Sequence, residues 1–136
     1  MYNNYLKRLF DIIFSIILIV ILFPIYLFVS FLIVFDSGFP IFYKWRVVGK
    51  DGVFFKAYKF RTMIINADKV KKNLLNKNEM QGPFFKMKND PRITRLGNFL
   101  RKYSLDELPQ FFSVLYGDMS IVGPRPPLQS EWKEFS

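Results

Sequence analysis

The sequence predicts an α+β, mainly helical protein, in which an N-terminal membrane helix precedes one small domain with a β-hairpin and amphipathic helices. Two observations lead to this fold class. Residues 12–35 contain no charged side chain, and such a segment is long enough for a helix to span a bilayer. The rest of the chain is polar and basic, with an Asp-Gly turn between two strand-like segments and several short helical patterns. At 136 residues, the chain has room for one domain besides the anchor.

The composition excludes several kinds of chemistry. The chain has no Cys and no His, which removes disulfides, thiolate nucleophiles, the commonest general base and the usual zinc ligand. Catalysis must therefore use carboxylates, Lys, Arg, Tyr or Ser, with a hard cation where a metal is needed. The formal net charge of +9 is compatible with nucleic acid, anionic lipid or a phosphorylated substrate.

The apolar segment admits two paths at a membrane. Residues 12–35 extend for roughly 36 Å as a straight helix, so a plain span is the simpler interpretation. Pro24 in the middle should kink the helix, and both flanks are basic, so the positive-inside rule does not put its ends on opposite sides. A kinked helix that enters and leaves by the same face satisfies both observations. Asp11 is expected to pair with Lys7 or Arg8 along one helix face.

The predicted β-hairpin follows the apolar segment. Residues 41–48 are rich in aromatic and β-branched side chains, and 53–58 form the return strand after the turn at 49–52. A glycine-rich phosphate loop at this turn is disfavoured, because the P-loop spacing and its Ser or Thr are missing. Lys59 and Arg61, two apart on extended chain, should point the same way and could clamp a phosphate. A solvated basic strand end is the alternative.

Three further helices are expected. The first, over 64–75, is amphipathic, with lysines that face solvent or anionic headgroups. The second covers 94–103 and the third 104–116. Turn signals at 81–83 and 89–91 separate the first two.

Asp106 and Glu107 are adjacent carboxylates at the expected start of the third helix. Ser104 and Glu107 fit a capping box, and acidic residues in a first turn are favoured by the helix dipole, so a purely structural explanation is available. Pro109 argues against it, because its missing N–H would leave the Leu105 carbonyl without a helical partner.

The functional interpretation of the acidic pair uses the same geometry. An ionised Asp106 could act as a nucleophile. Together with Glu107 it would suit Mg²⁺, which takes one or two carboxylates plus substrate phosphates, and a helix N-terminus accepts phosphate oxygens. Arg125, held between prolines in the loop 123–127, is either a further anion contact or part of a structural turn.

Five motifs occur in order along the chain. They are Lys-Arg-x-x-Asp at 7–11, Lys-Phe-Arg-Thr-Met at 59–63, Asn-Asp-Pro-Arg-Ile-Thr at 89–94, Ser-Leu-Asp-Glu-Leu-Pro-Gln at 104–110 and Gly-Asp-Met-Ser-Ile-Val-Gly-Pro-Arg-Pro at 117–126. Together they resemble the bacterial sugar transferases, the monotopic phosphoglycosyl transferases. The resemblance covers nearly the whole chain, and five ordered motifs are far more specific than any one of them.

The resemblance implies a topology and a reaction. Residues 1–36 would form a re-entrant membrane helix hairpin, broken near Pro24, at the cytoplasmic face of the bacterial inner membrane. Residues 37–136 would form the cytoplasmic catalytic domain. Such enzymes transfer a sugar-1-phosphate from a nucleoside diphosphate sugar, usually a UDP-sugar, to undecaprenyl phosphate in the lipid bilayer. UMP is released, and the reaction is the first membrane step in the synthesis of a glycan such as exopolysaccharide, capsule or lipopolysaccharide.

The resemblance also implies roles for the site residues. Asp106 matches the nucleophile that forms a covalent phosphosugar intermediate, and Glu107 matches its partner, with both as ligands of Mg²⁺. The positions expected near the diphosphate or the polyprenyl phosphate are Lys59, Arg61, Arg101 and Arg125. These roles agree with the chemistry, because phosphoryl transfer depends on positioning and charge neutralisation, and a covalent aspartyl intermediate divides it into two steps.

The chain departs from the family pattern in two places. Family members often carry Gln-x-Arg-x-Gly before the hairpin turn, whereas this chain has Trp45-Arg46-Val47-Val48-Gly49. They also usually continue well past the Gly-Pro-Arg-Pro loop, so the chain is expected to be truncated at its C-terminus.

Two other functions compete with catalysis. The first is an inactive fragment that binds the membrane, polyprenyl phosphate or a partner enzyme. The second, a membrane-tethered nucleic-acid binder, depends on charge alone, without an ordered recognition motif, so no nucleic-acid partner is expected. The sugar, the pathway and the oligomeric state are not predicted.

Overall fold

A computed structural model describes residues 4–81 and 85–135 of the chain, and this part is mainly helical with one two-stranded antiparallel sheet. The predicted α+β, mainly helical class is therefore confirmed. The helices are α1 (Asn4–Ser37), α2 (Ala67–Leu74), α3 (Arg95–Lys102), α4 (Gln110–Tyr116) and α5 (Gln129–Phe135), the strands are β1 (Phe42–Val48) and β2 (Phe54–Phe60), and short 3₁₀ turns cover Lys50–Gly52, Leu75–Lys77 and Leu105–Glu107. The predicted break at 81–83 falls largely outside the described residues.

Helix α1 is long, apolar and continuous, with Pro24 inside it. An 18-residue window has a mean hydropathy of 3.1, and only 17% of that window is buried against the rest of the protein. By length and composition the helix is therefore able to cross a membrane. The expected break near Pro24 is not seen. A proline removes one backbone hydrogen bond, and local adjustment of the helix can satisfy the freed carbonyl without a break.

One stripe of α1 packs against the domain. Its buried residues are Asp11, Ser15, Tyr26, Val29 and Ile33. Their separations of three, four and eleven residues are those of a single helical face. The remaining faces expose Phe, Ile, Leu and Val side chains along the whole helix. The domain thus lies along α1 and leaves its other faces apolar and uncovered.

Both ends of α1 are attached to the same domain by arginines. Near the start, the Arg8 guanidinium donates to the carbonyl oxygens of Val114 at 2.5 Å and Leu115 at 2.6 Å, in the last turn of α4. At the other end, Arg61 donates to the carbonyl oxygen of Ser37 at 2.9 Å. The last carbonyls of a helix lack helical partners and carry partial negative charge. Each arginine therefore satisfies a helix C-terminus while it joins α1 to the domain.

The core lies between α1 and the helices and strand that face it. It consists of Tyr26, Val29 and Ile33 from α1, Phe60 from β2 and Leu100 from α3. The Tyr26 ring lies 5.8 Å from the Phe60 ring and 5.7 Å from the Phe112 ring, measured between centroids. Its hydroxyl donates to the carbonyl oxygen of Leu108 at 2.6 Å. Helix α1 is thereby fixed to the segment that carries the acidic pair.

Asp11 has a different partner from the one expected. Its buried carboxylate, 4% exposed, accepts the backbone N–H of Ile121 at 3.2 Å. The predicted pairing with Lys7 or Arg8 is wrong, because Arg8 binds the end of α4 and Asp11 faces the loop that follows α4. A partner 110 positions away in the sequence cannot be predicted from the spacing of residues along a helix.

The predicted hairpin is confirmed. Tyr43 pairs with Lys59 and Trp45 with Ala57 across the two strands. The connecting turn carries a positive φ at Asp51 (58°) and at Gly52 (74°), which Asp tolerates and Gly adopts without strain.

The helix predicted over 94–103 is also confirmed, as α3. The Thr94 side chain accepts the backbone N–H of Gly97 at 2.9 Å and so caps its first turn. The helix predicted over 64–75 is shorter, since it begins at Ala67 and continues beyond Leu74 as a 3₁₀ turn.

Candidate active site

The acidic pair lies on the short 3₁₀ turn between α3 and α4. Ser104 has a positive φ of 55°, and its side chain makes no capping hydrogen bond. The predicted capping box is therefore wrong. Helix α4 begins only at Gln110, so Asp106 and Glu107 stand outside its first turn. The α3 helix ends, the chain turns sharply at Ser104, and this turn presents the two carboxylates.

Pro109 explains why the helix starts late. It stands directly before α4, where a missing N–H costs nothing because the first N–H groups of a helix have no helical partner. The Leu105 carbonyl, expected to be unpaired, accepts the N–H of Leu108 at 3.4 Å. The proline therefore separates the acidic turn from the helix.

The two carboxylates differ in their surroundings. Asp106 is 7% exposed, whereas Glu107 is exposed. Burial raises the pKa of the Asp106 carboxyl above its ordinary value; Lys59 and Arg101 oppose that shift, and Glu107 adds to it. The ionised form is therefore favoured by two neighbouring cations and not by a helix N-terminus. A partly desolvated carboxylate beside fixed positive charge is a suitable nucleophile towards an anionic phosphoryl group.

Lys59 is brought to the acidic pair by strand β2. Its ammonium is partly buried, and burial lowers its pKa; Arg101 acts in the same direction, while Asp106 opposes it. Arg125 and Glu107 also act electrostatically on this ammonium. The fold thus gathers four of the predicted site residues around Lys59.

Arg101 and Arg125 complete this cluster from two other elements. Arg101 is on the last turn of α3, where its Nε donates to the Thr62 hydroxyl at 2.9 Å. Arg125 comes from the proline-rich loop. With Lys59 they line a cavity of about 410 Å³ that also contains Trp45. Trp45 and Arg125 line a second cavity, of about 670 Å³, together with Glu107.

Arg61 lines the same cavity of about 410 Å³, but its guanidinium is engaged at the end of α1. Its side chain is buried and donates to the Ser37 hydroxyl at 3.0 Å and to the carbonyl oxygens of Ser37, Gly38 and Phe39. These hydrogen bonds occupy the Arg61 guanidinium, which was expected to clamp a phosphate together with Lys59. The guanidinium closes the C-terminus of α1 instead.

The acidic pair can offer only oxygen ligands to a cation. Within residues 4–81 and 85–135, no group of three or more acidic, His or Cys side chains could hold a metal ion. Asp106 and Glu107 alone supply two carboxylates, which matches Mg²⁺, a cation that keeps several waters and takes substrate phosphates as further ligands. The residues present therefore fit Mg²⁺ only in company with a phosphorylated substrate.

Three residues around the site were not assigned a role from the sequence. Thr62 fixes Arg101, and Tyr43 and Trp45 lie under the Lys59 ammonium. The sequence contained a signal for Tyr43 and Trp45, because alternate residues of a strand share a face and the hairpin register places Lys59 opposite Tyr43. For Thr62 there was none, since its partner lies 39 positions away on another element.

Comparison with known proteins points to one family. The family model described as bacterial sugar transferase matches residues 2–136. The chain is 44% identical over 137 residues to the undecaprenyl-phosphate galactose phosphotransferase of Salmonella typhimurium, covering 98% of this chain and 29% of that protein.

Two further relatives carry other names. The chain is 43% identical over 129 residues to the exopolysaccharide production protein ExoY of Sinorhizobium fredii, covering 92% of this chain and 57% of ExoY. It is 41% identical over 135 residues to the UDP-glucose:undecaprenyl-phosphate glucose-1-phosphate transferase of Klebsiella pneumoniae, covering 98% of this chain and 26% of that protein. The chain therefore spans less than two thirds of the length of each of these relatives.

Proposed function

The chain belongs to the bacterial sugar transferase family, and from this premise we propose that it transfers a sugar-1-phosphate from a UDP-sugar to undecaprenyl phosphate, with release of UMP. The observation that carries the proposal is the buried Asp106 carboxylate in a cluster of cations. Lys59 and Arg101 act electrostatically on this carboxylate, and these two cations line one cavity together with Arg125. An anionic diphosphate fits this arrangement, and a nucleophile is in place beside it.

The reaction divides into two displacements at phosphorus. In the first, an Asp106 carboxylate oxygen attacks the phosphorus that bears the sugar, and the bond from this phosphorus to the bridging oxygen breaks, so UMP leaves with the electron pair. In the second, a phosphate oxygen of undecaprenyl phosphate attacks the same phosphorus and releases the Asp106 carboxylate. Lys59, Arg101 and Arg125 neutralise the charge of the diphosphate, which is the main demand of phosphoryl transfer.

Asp106 and Glu107 are the residues that would hold Mg²⁺. When bound together with the substrate phosphates, the cation supplies further charge neutralisation at the diphosphate. Glu107 is exposed next to the buried Asp106, so its carboxylate would be accessible to the cation. Glu107 would thus contribute the more accessible of the two carboxylates, while Asp106 also serves as the nucleophile.

We further propose that α1 enters and leaves the membrane by one face, the cytoplasmic face of the bacterial inner membrane. Arg8 and Arg61 attach its two ends to the same domain, and the residues between these ends extend over roughly 40 Å as helix. A perpendicular span would draw the charged domain through the bilayer, which is costly for each charged side chain. The apolar faces of α1 that the domain leaves uncovered would contact lipid.

UMP release tests the proposal. The protein, in nanodiscs with undecaprenyl phosphate and Mg²⁺, is supplied with a panel of UDP-glucose, UDP-galactose and UDP-N-acetyl sugars. We expect release with at least one sugar, loss of release in Asp106→Asn, and normal release in Asp51→Asn, a control acid exposed on the hairpin turn. Acid quenching without acceptor should leave a phosphosugar mass on the peptide that contains Asp106.

Two results would contradict transfer by this chain. Normal UMP release in Asp106→Asn would exclude the assigned nucleophile. Absence of release with every sugar, together with binding to vesicles that contain undecaprenyl phosphate, would favour the alternative function, in which the chain binds the membrane and the polyprenyl phosphate without turnover.

A further inference from the structure

Two aromatic rings of strand β1 lie against the Lys59 ammonium. The rings of Tyr43 and Trp45 are nearly parallel, with an interplanar angle of 12° and centroids 6.4 Å apart. The Lys59 Nζ is 5.8 Å from the centroid of the Tyr43 ring and 4.9 Å from that of the Trp45 ring. These distances are within the range at which a cation is attracted to the face of an aromatic ring.

The hairpin register creates this arrangement. Tyr43 is directly opposite Lys59, and Trp45 is opposite Ala57, one step along the same face of the sheet. Ala57 is fully buried and small, so it leaves the space that the indole and the lysine stem share. The support is therefore built from cross-strand neighbours and does not depend on a distant contact.

The aromatic contact leaves the charge of Lys59 available. Within the described part of the chain, no carboxylate lies within the 4.0 Å of an ion pair with Lys59, since the one such pair joins Asp90 and Arg92. A carboxylate at that distance would neutralise the ammonium before a substrate arrived. Aromatic faces attract the ammonium without cancelling its charge. Without such contacts, repulsion from Arg101 and Arg125, both of which act on Lys59, would favour its movement towards solvent.

We propose that Tyr43 and Trp45 are positioning residues that hold the Lys59 ammonium against the diphosphate of an anionic substrate, in the cavity of about 410 Å³ that all three residues line. That the diphosphate belongs to the sugar donor rests on the proposed function; the coupling between the rings and Lys59 does not. Trp45 has the larger part, because its ring is closer to the ammonium and indole is the best of the aromatic cation acceptors.

The test is a double-mutant cycle read out by binding of inorganic pyrophosphate, measured by titration calorimetry on the full chain in detergent. Trp45→Leu should weaken pyrophosphate binding by about three- to tenfold, the range of a partly desolvated cation–aromatic contact. Trp45→Phe, which keeps a ring, should restore most of the affinity. In a Lys59→Met background, Trp45→Leu should cause no further loss, because the ammonium that it positions is gone.

The other face of the same hairpin provides a matched control. There the Lys44 Nζ lies 5.4 Å from the centroid of the Tyr58 ring, and neither residue lines the cavity. Tyr58→Leu should leave pyrophosphate affinity unchanged while it removes a cation–aromatic contact across the same two strands. Circular dichroism and thermal unfolding of each variant identify any change that comes from a damaged hairpin.

Four outcomes would overturn the inference. The first is an equal loss on Trp45→Leu with and without Lys59, and the second is a loss of the same size in Tyr58→Leu. The third is absence of pyrophosphate binding by the unaltered chain. The fourth is a coupling seen with inorganic phosphate but not with pyrophosphate, which would exclude a diphosphate as the ligand. None of these readouts requires turnover, so failure of sugar transfer alone would leave the coupling result standing.

Discussion

Gly97 packs directly against the backbone of Thr62. A Cβ added to Gly97 would lie 2.8 Å from the Thr62 carbonyl carbon and would overlap its oxygen. The same carbonyl oxygen accepts the N–H of Thr94 at 3.1 Å, while the Thr62 hydroxyl accepts from Arg101. Thr62, the second residue after β2, therefore sets the distance to α3, and with it the positions of Arg101 and of the turn that carries Asp106.

Gly97→Ala should push α3 away from the segment that follows β2. The backbone of Thr62 cannot move aside as a flexible side chain would, so we expect a loss of about 1–3 kcal/mol or more in the free energy of unfolding, with UMP release lost as well. Thermal unfolding in detergent measures the change. Gly123→Ala is the control, because nothing lies within 4 Å of an added Cβ there. Equal stability of the two variants would contradict the contact.

Arg101→Gln should impair transfer without unfolding the chain. The guanidinium is beside Asp106 and is partly buried, and removal of one fixed charge from a phosphoryl-transfer site should lower the rate of UMP release by about 100-fold. Arg95→Gln, on the exposed first turn of the same helix, should have little effect. If the two substitutions reduced release equally, a specific role for Arg101 would be excluded.

Asp90 should contribute to stability above the acid range. Its carboxylate forms a buried ion pair with Arg92 at 2.6 Å, and the hydrogen bond from Arg92 holds the pKa of Asp90 below its usual range. This contribution is therefore fully present above the unfolded value of about 3.9 and is lost as the pH falls through the lowered, folded value. Removal of one partner from a buried pair typically costs about 3–5 kcal/mol, so Asp90→Asn should unfold at a lower temperature at pH 7.

The pH profile distinguishes this explanation from simple loss of packing. As the pH falls from 5 to 3, the Tm of the unaltered chain should approach that of Asp90→Asn, because protonation removes the same charge. Asp51→Asn, at an exposed position, should follow the unaltered chain throughout. A difference in Tm between the unaltered chain and Asp90→Asn that stays constant down to pH 3 would count against the ion pair.

Arg8→Gln should loosen α1 from the domain. The two hydrogen bonds from Arg8 to the last turn of α4 involve a charged donor, and such bonds contribute about 1.5–3 kcal/mol. We expect a lower Tm in detergent and easier proteolysis near residue 117. Lys7→Gln removes a neighbouring, exposed charge and should leave both unchanged, so a matching effect of the two substitutions would refute the capping role.

Local patterns predicted much of the fold. The apolar helix, the hairpin around Asp51 and the helix that begins at Thr94 were expected from periodicity, turn chemistry and capping, each of which depends on residues a few positions apart. The acidic pair was wrongly predicted to lie in the first turn of a helix, because that prediction also depended on local spacing alone. Ser104 and Glu107 have the spacing of a capping box, yet Ser104 adopts a left-handed conformation, and Pro109 places the helix start three residues after Glu107.

The sequence by itself determined which residue types are available for chemistry and which family pattern they follow. Without His or Cys, an acidic pair and scattered cations were the candidates, and the motifs around Asp106 identified the pair. The tertiary structure alone decided which cations reach it. Lys59 and Arg61 are two positions apart, yet one lies beside Asp106 and the other closes a helix end. The physical reason is that an ammonium or a guanidinium binds any carbonyl, carboxylate or phosphate within reach. Only the packing of the whole chain decides which of these groups is near.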